Sequence, residues 1–131
     1  MTQILVITHG ALATDFIRVA ERVLNTHSSA IPICFDIDAD QTDYQQLLQE
    51  VLEGIRPDQN ILILTDLFGG TPSNLSIPYI QKNKVEVITG INLAMLIYLL
   101  SQPKGKEFSE LCTGVKKAGQ EAIVIAGEFL A

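Results

Sequence analysis

The chain has 131 residues, 47% of them hydrophobic, and a formal net charge of -6. That length is one ordinary domain, with enough apolar material for a core that needs no disulfide or metal staple. The negative balance argues against nucleic acid and against an anionic membrane surface as partners. Cys34 and Cys112 lack a CxxC or zinc-type spacing and read as small apolar residues in a reducing compartment. The start MTQILVITHG has no basic leader region. No run approaches the roughly 20 apolar residues of a membrane span, so a cytoplasmic location is expected.

Strand and helix patterns alternate along the chain. Residues 3–8 (QILVIT) form a β-rich apolar run that ends in His9-Gly10. Leu12, Ala13, Phe16, Ile17, Ala20, Val23 and Leu24 then recur at helical spacing, with Asp15, Arg18, Glu21 and Arg22 between them. Residues 31–35 (IPICF) read as a second strand. Tyr44, Leu47, Leu48, Val51, Leu52 and Ile55 mark a second helix, with Thr42 or Asp43 as its cap and Gly54 near its end. Residues 61–65 (ILILT) give a third strand, with Asp66 at its C-terminal end. The run Leu67-Phe68-Gly69-Gly70-Thr71-Pro72-Ser73-Asn74 follows. Thr71 and Pro72 suit the N-cap and N1 positions of a helix to about residue 81, which Pro78 should kink or break. A fourth strand is expected at 85–89 (VEVIT). The helix expected at 92–100 (NLAMLIYLL) is almost wholly apolar, so it is either deeply buried or covered by a partner. A further helix spans 107–117 and a last short strand 122–126 (AIVIA).

Alternation with short connections predicts an α/β fold: a mainly parallel sheet with helices on both faces. Ligands of such sheets bind beyond the carboxyl ends of strands, where the strand order switches. His9 follows strand one, Asp66 ends strand three, and Gly69-Gly70-Thr71 leads into a helix start. If the order is flavodoxin-like, with strands one and three adjacent, these residues share one crevice.

The chemistry of that set suits phosphate. A neutral imidazole is nucleophilic at its unprotonated nitrogen. A carboxylate on the other ring N–H fixes the tautomer and stabilises the charge that develops on attack. Paired glycines let backbone approach an anion closely. Each signal has a plainer rival: a structural histidine, a turn aspartate, a tight glycine turn, an ordinary helix start. Their joint placement at strand ends favours the functional reading. His27, in a polar stretch, reads as a solvated loop residue. Asp36, Asp38, Asp40 and Asp43 do not match the EF-hand spacing, and no metal is expected there. A receiver-type aspartate site needs an acidic pair after strand one, where Thr8-His9 stands. The glycine signatures of nucleotide sites and the G-x-S-x-G elbow of hydrolases do not occur.

The segments Ile7-Thr8-His9-Gly10, Leu64 to Asn74 (LTDLFGGTPSN) and Thr89 to Leu96 (TGINLAML) resemble the IIA component of the mannose family of the phosphoenolpyruvate-dependent sugar phosphotransferase system. The resemblance covers essentially the whole chain, and D-L-F-G-G-T-P-x-N is its most specific part. It implies that His9 is the phosphorylated histidine, that Asp66 orients it, and that Thr71 lies near the phosphoryl group. Gly10, Gly69, Gly70, Thr71 and Ser73 are then the expected phosphate contacts, and no cofactor is expected. The implied donor is the phosphocarrier protein HPr and the implied acceptor a IIB protein. The implied fold is a flavodoxin-like, five-stranded sheet of order 2-1-3-4-5, whose last strand is antiparallel and exchanged in a homodimer. Ala94 stands where many members have proline, a change that removes no functional group. The phosphoryl-donor subunit of dihydroxyacetone kinase has the same fold and chemistry, but the intact G-G-T-P run favours the mannose-type IIA. A regulator that uses the phosphorylation state of His9 as a signal is the reading from another class. Which sugar is concerned belongs to partner proteins.

Overall fold

Strands and helices alternate up to the last strand, and two helices follow it, in the computed structural model, which describes residues 1–130. The order is β1 (Thr2–His9), α1 (Leu12–Leu24), β2 (Ile31–Phe35), α2 (Gln41–Glu53), β3 (Asn60–Thr65), α3 (Thr71–Ser76), β4 (Val85–Ile88), α4 (Leu93–Leu100) and α5 (Phe108–Glu121). The strands make one parallel sheet of order β2-β1-β3-β4. Period-2 alternation divides the strand residues between two cores. Val6, Leu62 and Leu64 face α1, α4 and α5, meeting Ala13, Ile17, Met95, Leu96 and Val115. Leu5, Ile7, Ile61 and Ile63 face the other way, onto Leu48 of α2 and Leu75 of α3. Both faces are therefore covered, which is why the central runs of β1 (residues 4–7) and β3 (residues 61–64) are apolar without alternation.

Two expectations are corrected. The sheet has four strands, not five, and residues 122–126 form none. α5 continues past the expected end at residue 117 to Glu121 and carries the segment off the sheet. Ile123, Val124 and Ile125 are exposed there and lead into a 3₁₀ turn at Ala126–Phe129. The segment has no partner strand among the described residues.

The second correction concerns the helix expected from residue 71 to about 81. The α-helix stops at Ser76 and a 3₁₀ turn, Ile77–Tyr79, replaces its continuation. Pro78 accounts for the stop, because it lacks the N–H and crowds the preceding turn. The N-cap is Gly70, so Thr71 and Pro72 stand at N1 and N2, and no side chain caps the start. On α2, Asp40 takes the cap expected of Thr42 or Asp43: its carboxylate accepts from Thr42 N–H at 2.9 Å.

The apolar helix α4 is covered inside the chain. Met95, Leu96 and Leu99 are buried and the remaining α4 residues are half-buried between α1 and α5. Among the described residues no helix is long and apolar enough to cross a membrane.

Candidate functional site

Adjacency of β1 and β3 meets the condition on which the crevice depended. Their register ends at Ile7 opposite Thr65, so His9 and Asp66 both lie just beyond the paired region. One carboxylate oxygen then holds His9 twice. Asp66 Oδ2 accepts the His9 backbone N–H at 3.0 Å and lies 2.9 Å from ring Nδ1. An ionised carboxylate can only accept, so this contact calls for a proton on Nδ1, and in a neutral ring that leaves Nε2 unprotonated. The Asp66 side chain is 14% exposed and that of His9 32%. The carboxylate is thus largely shielded, while the ring reaches solvent. Nε2 makes no hydrogen bond among the described residues.

The five expected phosphate contacts divide. Gly10 takes the left-handed backbone, φ +56°, that turns the chain from β1 into α1. Its N–H is engaged with Phe35 O at 2.7 Å. The N–H of Gly70 is likewise engaged, with Leu67 O at 3.2 Å. Ser73 lies beneath the crevice rather than in it. It is fully buried, and its hydroxyl donates to Leu67 O and pairs with Thr65 Oγ1, each at 2.7 Å. The sequence pattern could not show this, because a serine in a polar loop looks the same whether it faces in or out. Gly69 and Thr71 remain. Neither their N–H groups nor the Thr71 hydroxyl makes a hydrogen bond among the described residues, so both residues keep free donors in the loop.

Several contributors escaped the sequence reading. Thr8 is buried and its hydroxyl accepts the Ala13 N–H at 2.7 Å, supplying the cap that Ala11 cannot give α1. Thr65 anchors Ser73 as described. Leu67, Phe68 and Ile37 stand exposed on loops at this end of the sheet, Phe68 at 74%. Two large apolar residues inside a glycine turn were the available signal, since a turn alone gives no reason for them.

Residues read as unrelated to the site lie apart or serve local turns. His27 is exposed on the loop between α1 and β2. Asp36 accepts from Asp38 N–H at 3.0 Å and Asp40 caps α2. No cluster among the described residues has the makings of a metal site. Both cysteines are free thiols, and burial pushes the Cys112 thiol up to about 11. Hydrogen bonds from Ser109, and from the Glu110 N–H, hold the exposed Glu107 carboxyl below its usual range, where it caps α5.

The family model described as the PTS system fructose IIA component, EIIA-man, matches residues 3–116. A sorbose-specific EIIA component of a phosphotransferase system, from Lacticaseibacillus casei, is 28% identical over 122 residues, covering 91% of this chain and 86% of that protein. A phosphotransferase-system EIIA from Streptococcus agalactiae superposes with a TM-score of 0.83 at 28% identity, over 98% of this chain and 99% of its own. A mannose/sorbose-specific IIA subunit from Enterococcus faecalis shares the fold, with a TM-score of 0.86 at 23% identity over 95% and 93% of the two chains. The matched span runs from β1 into α5 and takes in His9, Asp66 and the whole glycine loop. The chain belongs to the EIIA-man family, the mannose-type IIA components of the sugar phosphotransferase system.

Proposed function

We propose that the chain accepts a phosphoryl group from phospho-HPr on Nε2 of His9 and passes it to a IIB component. Family membership supports a phosphoryl-carrier role in sugar uptake. The observation that carries the finer reading is the double hold of Asp66 Oδ2 on His9, at 3.0 Å to the backbone and 2.9 Å to Nδ1.

In the proposed step the Nε2 lone pair attacks the phosphorus of the donor's phosphohistidine. The new N–P bond forms as the donor's N–P bond breaks, and the electron pair of that bond returns to the donor ring. Nδ1 keeps its proton throughout, and Asp66 stabilises the positive charge that grows on the His9 ring. The free donors of Gly69 and Thr71 are suited to the phosphoryl oxygens. Phosphoryl transfer asks mainly for positioning and charge stabilisation, and the site supplies both without a metal or cofactor in this scheme. Transfer onward reverses the roles: His9 becomes the leaving group and a residue of the IIB component the nucleophile.

We further propose a homodimer in which the segment after α5 pairs with a second copy. Its exposed Ile123, Val124 and Ile125 and the four-residue edge strand β4 motivate this.

The test is intact-protein mass spectrometry after incubation with phosphoenolpyruvate, enzyme I and HPr. One phosphoryl adduct is expected, acid-labile and alkali-stable as a phosphoramidate is. His9→Ala should abolish it and His27→Ala should keep it. An adduct that survives in His9→Ala refutes the assignment.

A further inference from the structure

The two neighbouring glycines of the loop are glycines for opposite reasons. Gly69 has φ +86°, a backbone that side chains disfavour, yet a Cβ there would meet nothing within 4 Å. Gly70 has φ -78° and ψ 168°, ordinary extended backbone open to any residue. A Cβ at Gly70, however, would stand 2.8 Å from His9 Cε1 and 3.4 Å from Nε2. Conformation therefore requires glycine at 69, and the imidazole requires it at 70.

The ring is held along two edges. Asp66 holds Nδ1, and the bare Cα of Gly70 lies against the Cε1–Nε2 side. The wall that Gly70 forms is itself fixed from below. Leu67 O accepts both the Gly70 N–H at 3.2 Å and the Ser73 hydroxyl at 2.7 Å. Ser73 is in turn pinned to Thr65 Oγ1, one residue before Asp66, and both Ser73 and Thr65 are fully buried. The strand end that supplies the carboxylate thus also anchors the wall.

We infer that Gly70 is a positioning residue: its missing side chain, backed by the Ser73–Thr65 pair, sets the rotation of His9 that keeps Nδ1 on Asp66 and Nε2 open to the phosphoryl group. The inference rests on His9 being the acceptor. An added methyl must regain an ordinary carbon–carbon separation of about 3.5–4.0 Å. The ring tip then retreats by roughly 1 Å, or the loop opens. Because the ring is tethered at Nδ1, its retreat comes at the expense of the hydrogen bond to Asp66. A misplacement of that size can cost about 100-fold in rate.

The test combines Gly70→Ala with Ser73→Ala and reads three quantities: the His9 tautomer from nitrogen-15 NMR of the ring, the single-turnover rate from phospho-HPr, and the thermal midpoint. Gly70→Ala should keep a cooperative thermal transition, lose the predominance of the Nδ1–H tautomer, and slow phosphorylation by about 10-fold to 100-fold. Ser73→Ala should move the tautomer the same way by a smaller amount, and it carries the test if Gly70→Ala does not fold. An unchanged tautomer in both variants overturns the inference. So does a slowed rate with the tautomer intact, which would mean that Gly70 acts on the phosphoryl group directly. If wild-type His9 takes no phosphoryl group, the carrier reading fails, and the tautomer arm still decides whether Gly70 sets the ring.

Discussion

The crevice at the ends of β1 and β3 and the segment after α5 are built from the same kind of sequence, apolar runs with strong strand preference, and they end differently. In the crevice each apolar run has a partner strand, and several polar groups at its end find partners in the same chain: His9 on Asp66, Thr8 on Ala13 N–H, Thr65 on Ser73. After α5, Ile123 is 79% exposed and Ile125 70%. The difference is not one of propensity. Residues 85–88 (VEVI) are no better strand formers than residues 122–126 (AIVIA), yet β4 forms because β3 lies beside it, with Ile61 opposite Val85 and Leu64 opposite Ile88. A strand is a property of a pair. One region therefore pairs its strands within the chain, and the other leaves Ile123, Val124 and Ile125 exposed among the described residues.

The largest effect that could break this comparison is at Asp66. If the crevice is self-contained and chemical in purpose, Asp66→Asn should leave the fold intact. It should slow phosphorylation from phospho-HPr by between about 10-fold and about 10⁴-fold. The amide keeps the size but loses the charge, and its N–H₂ can face Nδ1 and favour the wrong tautomer. A structural role alone predicts the reverse, a lowered thermal midpoint with a nearly normal rate. Measuring both on the same preparation decides between them.

The second effect belongs to the other region. Deleting residues 121–131 should weaken self-association by at least about 100-fold, the equivalent of about 2.7 kcal/mol, while transfer to His9 in the monomer stays within about 3-fold of the full chain. Sedimentation across a concentration series reads the first quantity and single-turnover kinetics the second. A full-length chain that sediments as a monomer at micromolar concentration would remove the dimer. A deletion variant that no longer accepts phosphate would show that the crevice is not self-contained.

What the sequence showed and what it hid follow the same division. β2 and α1 match their expected spans to the residue, because their periodicities are strong and their neighbours lie close in the chain. The meeting of His9 with Asp66 was conditional on strand order and became certain only with β1 beside β3. The stop of α3 was legible in Pro78, but the cap was not: Thr71 looks like an N-cap, yet the position falls to Gly70, whose bare Cα lies against the imidazole. Ser73 shows the limit of composition. Its residue type suits a phosphate ligand and a buried latch equally, and only the 2.7 Å pairing with Thr65 separates them. Residues 122–126 carry the same strand preference, but no strand lies beside them among the described residues, so the expected fifth strand does not form.

The smallest predicted effect lies at Asn92, which ties α4 to the end of α5. Its Oδ1 accepts from Met95 N–H at 3.1 Å and caps α4, and its Nδ2 donates to Gly119 O at 3.0 Å, in the last turn of α5. Gly119 allows this approach, because a Cβ there would stand 2.6 Å from Met95 Cγ. Asn92→Ala removes the cap and leaves a carbonyl of α5 short of a donor. The cost should be about 1–2 kcal/mol in denaturant unfolding, a cap loss of about 1 kcal/mol plus the lost bond to Gly119. The variant should still accept the phosphoryl group at His9 at the wild-type rate, because the Asn92 side chain is bonded to α4 and α5 and not to the crevice. Its effect should instead run outward: with the end of α5 less firmly held, amides of residues 119–126 should exchange with solvent faster than those of β1 and β3. Hydrogen exchange on the two segments of one sample reads this directly. Equal acceleration in both would mean that Asn92 supports the whole fold, and the crevice and the terminal segment would then not be separable in energy.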